Sequence, residues 1–164
     1  MTTNDERAVS EVLARYVRAT DRRDGAAQGA LFAEDGIVEI LTRTGPDSYE
    51  RVGEPVIGSA GVAHAVEHFM APHPPGGTSH HVTADHIVVV EGDDARLSAQ
   101  FVVFEVRATP RPADGWPEGV LGVQGTVRPT ESGYYESRLR RVGDAWRIVH
   151  HRVLLDMPIA LPAA

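Results

Sequence analysis

The chain contains no cysteine and no lysine, and all 16 of its basic residues are arginine. Without thiols there is no disulfide, cysteine nucleophile, zinc finger or iron–sulfur cluster. Without ammonium side chains there is no Schiff-base catalysis, pyridoxal-phosphate anchor or P-loop lysine. No G-x-S-x-G elbow occurs to support acyl-enzyme chemistry, and no G-x-G-x-x-G turn to hold a dinucleotide. No apolar run approaches the roughly 18 residues of a membrane span. The opening MTTNDERAV lacks the basic-then-apolar order of a secretory signal, so the expectation is a cytoplasmic protein. A net charge of −7 argues against binding to nucleic acid or to an anionic membrane surface. Neither a metal nor a cofactor is expected. Chemistry is left to Asp, Glu, His, Tyr, Ser, Thr and Arg.

What is present suits one domain: 164 residues, 42% hydrophobic and 24% charged. The spacing of Val9, Val12, Leu13, Tyr16 and Val17 predicts an amphipathic first helix ending near Thr20 and Asp21. Thr3 and Glu6 stand at capping-box spacing, with Asn4 as an alternative cap. Asp24 is placed to cap a short second helix whose inner face is Ala27, Leu31 and Phe32. Strands are expected at 37–41 and 51–57. A third helix capped by Ser59 follows over 60–70, with Val62, Val66, Phe69 and Met70 on its apolar side. The Pro/Gly cluster at 71–77 ends it. From Ser79 onward the pattern is β: strands at 79–91, 95–108, about 120–130, 134–142 and 145–155. Gly92-Asp93-Asp94 and Gly143-Asp144 form the hairpin turns. The Pro-rich segment 109–119 is a long loop, a lid or a dimer contact. The tail 158–164 has little to order it. Helices first and a long antiparallel run afterwards make an α+β layout. A sheet curved around the first helix leaves a conical cavity.

Three constellations could carry chemistry. His64-Ala-Val-Glu67-His68 has the H-x-x-E-H spacing of a zinc protease. At 100° per residue its polar members lie opposite Val62, Val66 and Phe69, as on a solvated helix face, and a zinc site would need a third ligand there. The second is His80-His81-Val-Thr-Ala-Asp-His86. On a strand, His80 and His86 share one face while His81, Thr83 and Asp85 share the other, so one member of the adjacent pair faces inward. His80 and His86 are about 20 Å apart along a strand, too far to share a metal. The third is Asp21, an acid at a helix C-terminus, where the dipole disfavours it. A carboxylate hydrogen-bonded to one imidazole nitrogen fixes the tautomer and leaves the other as a base.

Several stretches together resemble the SnoaL-like members of the nuclear transport factor 2-like superfamily. They are Val12-Leu-Ala-Arg-Tyr-Val-Arg-Ala-Thr-Asp-Arg-Arg-Asp24, Leu31-Phe-Ala-Glu-Asp-Gly36, Gly58-Ser-Ala-Gly-Val62, Ser79-His-His-Val-Thr83 and Gly133-Tyr-Tyr-Glu-Ser through Trp146-Arg-Ile148. The resemblance spans about residues 5–157. It implies a cone-shaped, curved antiparallel sheet wrapped around N-terminal helices, with an apolar pocket.

Dehydratases and dehydrochlorinases of this superfamily, scytalone dehydratase and bile-acid 7α-dehydratase among them, use an Asp at the end of the first helix with a His on the sheet. By resemblance these are Asp21 and His80, with Tyr16 as the donor to a substrate oxygen. Glu105 falls in the region where scytalone dehydratase has a second His. Tyr135 and Arg152 are implied to polarise a substrate oxygen, and Phe69 to wall the pocket. The implied function is a cofactor-free lyase, dehydratase-like, or isomerase, acting on a small hydrophobic, cyclic ligand within a homodimer. The fold also serves non-catalytic binding proteins and accessory subunits, polyketide cyclases and epoxide hydrolases, so the fold by itself does not select among them.

Overall fold

The computed structural model describes residues 3–159, so the tail from 160 onward lies outside it. The first helix, α1 (Thr3–Arg22), buries the predicted stripe: Val9, Val12, Leu13, Tyr16 and Val17 are all inside. The cap expected at its start falls at the edge of the described residues. Asp24 caps α2 (Gly25–Gly29) by accepting the Ala27 N–H at 2.9 Å. The third helix, α3 (Gly58–His68), has Ile57 rather than Ser59 at its N-cap, with no side-chain bond there.

Seven strands form one sheet: β1 (Phe32–Gly45), β2 (Ser48–Arg51), β3 (Val56–Ile57), β4 (Gly77–Glu91), β5 (Asp94–Ala108), β6 (Gly125–Val142) and β7 (Ala145–Leu155). Their order is β2-β1-β7-β6-β5-β4, with β3 beside β1. All pairings are antiparallel except β1 with β7, which run parallel. The strand expected at 37–41 is the middle of the longer β1. That expected at 51–57 divides into β2 and β3. The two expected around 120–142 are one 18-residue strand, β6. Gly133 does not interrupt β6 and pairs with Leu155 of β7. A Cβ there would overlap the Leu154 carbonyl oxygen.

The pairing register sorts the side chains. On the face toward α1 lie Ser79, His81 and Thr83 of β4, Ala99, Phe101 and Val103 of β5, Tyr135 and Ser137 of β6, and His151 of β7. Their aromatic and aliphatic members are almost fully buried against Val9, Leu13, Tyr16 and Val17. The opposite face carries His80, Val82, Glu136 and Arg152. A bulge between Ala84 and Ile87 bends β4, with Asp85 at φ 52°.

Candidate functional site

The C-terminus of α1 is built to hold an aspartate. Asp24 N–H bonds the Ala19 carbonyl and Arg23 N–H bonds the Thr20 carbonyl, the two bonds of a Schellman cap. The left-handed residue in that cap is usually glycine; here it is Arg23, at φ 57°. Its guanidinium explains the choice. Nη1 donates to the Thr20 carbonyl at 2.6 Å and Nε to the Ala71 carbonyl at 3.0 Å, tying the Pro-rich loop to the helix end. His73 of that loop bonds the Asp21 carbonyl through Nε2 at 2.7 Å. Helix-end carbonyls without intrahelical partners are thus taken by side chains.

The Asp21 carboxylate faces β4. His81 Nδ1 donates to its Oδ1 at 2.6 Å, and Ser79 Oγ donates to the same oxygen at 3.0 Å. The His81 backbone N–H reaches both oxygens, at 3.2 and 3.1 Å. Because β4 is the outermost strand, that N–H has no neighbouring strand to bond. These donors are the counterweight to the unfavourable helix dipole. Burial pushes the Asp21 carboxyl up, but bonds from the His81 ring, the His81 backbone and Ser79 outweigh it and hold it below the usual carboxylate range. Arg23 is pulled down by its own burial, against the charges of Asp21 and Glu131, which raise it. With Nδ1 committed as a donor to Asp21, the imidazole of His81 presents Nε2 as its basic nitrogen.

The structure therefore corrects the expected partner: His81, not His80, meets Asp21. His80 lies opposite Phe104 on the outer face and is exposed. Arg152 is also on the outer face, where it bonds Glu136 at 2.6 Å, so it cannot polarise a ligand on the inner one. Phe69 caps the end of α3, is 62% exposed and meets His64 edge-on, so it walls no interior space. Glu105 pairs in register with Ser79, at the same end of the sheet as the dyad, but its carboxylate is taken by Arg128 at 2.7 Å and by Arg107. Tyr16 and Tyr135 do lie inside, edge-to-face at 5.8 Å, and Tyr135 stacks on Phe101 at 4.3 Å. Burial raises both phenols, and the Asp21 charge adds to the rise at Tyr135. His64 and His68 stack on each other at 4.1 Å on the exposed side of α3.

The roles of Ser79, Arg23, His73 and His151 have no local sequence signature, because each depends on a partner far away in the chain. Two surface recesses lie elsewhere. One, about 350 Å³, is lined by Glu6, Arg7, Ser10, His86 and Val88. The other, about 510 Å³, lies against Ile87, Val89 and Arg152 on the outer sheet face. No helix among the described residues is long and apolar enough to cross a membrane.

A family model for the SnoaL-like domain matches residues 1–152. No curated protein sequence matches the chain. Among solved structures, the chain is similar to one from Novosphingobium aromaticivorans described as the β subunit of an aromatic-ring-hydroxylating dioxygenase. That pair is 18% identical, covers 94% of this chain and 91% of the other, and has a TM-score of 0.66. ActVI-ORFA from Streptomyces coelicolor is similar at 18% identity, 94% and 98% coverage and TM-score 0.65. A Catenulispora acidiphila structure in complex with S-DNPA is similar at 16% identity, 90% coverage of each chain and TM-score 0.58. At these identities the similarity is one of fold.

Proposed function

The chain belongs to the SnoaL-like domain family, and from that footing we propose that it is a cofactor-free acid–base enzyme, a dehydratase-like lyase or an isomerase, acting on a small hydrophobic ring compound. The observation that carries the reading is the 2.6 Å bond from His81 Nδ1 to Asp21 Oδ1 on the inner sheet face. In this mechanism Asp21 holds the imidazole in the tautomer that leaves Nε2 unprotonated. Nε2 removes a proton from carbon, and the imidazolium that forms is stabilised by the carboxylate beside it. Ser79 and the His81 backbone N–H fix the carboxylate and hold it ionised. The phenols of Tyr16 and Tyr135 stay protonated through burial and supply the donors for a carbonyl or departing oxygen.

The test needs no natural substrate. Ring ketones such as 1-indanone exchange their α-protons in D2O, and NMR follows the exchange. Wild type should accelerate it, and His81→Gln or Asp21→Asn should lose about 10²–10⁴-fold of the acceleration. His80→Ala should retain it. Acceleration that survives His81→Gln, or is absent across a panel of ring ketones, defeats the proposal.

A second reading is a non-catalytic binding or accessory subunit. It is favoured by the interior packing, in which Tyr16, Phe32, Phe101, Tyr135 and His151 fill one another's space, and by recesses that lie away from Asp21. Ligand binding without proton exchange would select it. In either reading the protein is a homodimer joined through the outer sheet face, where Val82, Ile87 and Val89 are exposed; sedimentation at equilibrium tests this.

A further inference from the structure

His151 is wholly shut from solvent, at the centre of the interior. Its ring lies 4.4 Å from that of Tyr16, 5.1 Å from Tyr135 and 6.4 Å from Phe32. Ser137, itself buried, bonds Nδ1 at 2.8 Å, while Nε2 has no hydrogen-bond partner among the described residues. A buried polar atom left unpaired is disfavoured, and phenylalanine would fill the same volume without one. Ser137 fixes the imidazole plane, so the unpaired nitrogen points in a set direction rather than turning toward a partner.

Tyr16, which covers His151, is also the link to the dyad. Asp21 follows five residues later on the same helix, about 7.5 Å along its axis. A two-ring compound spans that distance. Building on the reading of the interior as a ring-binding site, we infer that His151 is a recognition group for the end of the ligand remote from the dyad. When a ring compound displaces the Tyr16 ring, Nε2 hydrogen-bonds a hydroxyl or carbonyl oxygen of that compound. If Ser137 donates to Nδ1, Nε2–H is a donor and meets either group. If Nδ1–H donates to Ser137, Nε2 is an acceptor and selects the hydroxyl.

The test pairs 2-naphthol with naphthalene, which differ by one oxygen. Calorimetric titration of wild type should show 2-naphthol bound about tenfold more tightly. His151→Phe should bring the two affinities together by weakening 2-naphthol and sparing naphthalene. In wild type the ¹⁵N resonance of His151 Nε2 should shift on saturation with 2-naphthol and stay in place with naphthalene, which keeps the test decisive even if the variant folds poorly. Equal affinities in wild type, a preference unchanged by His151→Phe, or an unmoved Nε2 resonance each overturn the inference. The dyad proposal fails separately: selectivity intact with no carbon-proton exchange sinks the chemistry alone, and exchange intact without selectivity sinks His151 alone.

Discussion

Replacing His151 by phenylalanine should change how the protein responds to acid in a way that can be worked out beforehand. Burial, and to a lesser degree the nearby His150, lowers the His151 pKa from 6.5 to about 3. In the unfolded chain it returns to its ordinary value. The folded state therefore binds fewer protons between these limits. The stability tied to neutral His151 is complete above pH 6.5 and is lost as pH falls toward 3. At 1.36 kcal/mol per pKa unit, lowering the pH from 7.5 to 5 costs about 2 kcal/mol through this one group. His151→Phe has no proton to take up. The stability of wild type minus that of the variant should thus fall by about 2 kcal/mol over that interval, whatever its sign at pH 7.5. Urea unfolding followed by circular dichroism at pH 7.5, 6.5, 5.5 and 5.0 measures it, and the melting temperatures should diverge by roughly 4–8 °C. Taking the difference between the two proteins cancels every titration they share. Parallel pH profiles would show that His151 is protonated or solvated in the folded state, and the reasoning from burial would be wrong.

Other substitutions test the frame around the site. Asp21→Ala removes the acceptor for Ser79, the His81 ring and the His81 backbone N–H, and should cost about 2–3 kcal/mol in urea unfolding. Gly133→Ala forces β6 and β7 apart at Leu154 and should cost about 1–3 kcal/mol, read as a lower melting temperature. Arg23→Gly relieves a left-handed backbone but cuts the tie to Ala71. Global stability should move by less than about 1 kcal/mol while limited proteolysis within the Pro-rich loop 69–76 accelerates.

Much of this arrangement is legible in the chain. The α1 stripe, the Asp24 cap, the hairpin turns at Gly92 and Gly143 and the anomaly of an aspartate at a helix C-terminus all follow from local physical rules. The choice between His80 and His81 does not, because a strand alternates faces at every residue and an error of one inverts the answer. Val82 and Ala84, the nearby apolar residues, share the parity of His80, so alternation by itself points to the wrong member of the pair. His151 was harder. The bulge between Arg138 and Leu139 shifts the β6–β7 register, so the parity of the His150–His151 pair depends on an irregularity with no sequence signature. Likewise Gly133 looks like a break until β7 is placed against it.

Asp21 has a consequence beyond chemistry. The outermost strand of an open sheet is where another chain can add itself, hydrogen bond by hydrogen bond, and β4 is 15 residues long with Val82, Ile87 and Val89 exposed along it. By occupying the free N–H of His81, the carboxylate puts a negative charge where an incoming strand would need to offer a neutral carbonyl. The residue that orients the imidazole also guards this edge. Variants such as Asp21→Ala should therefore be watched for self-association, since they leave the His81 N–H of the edge strand vacant.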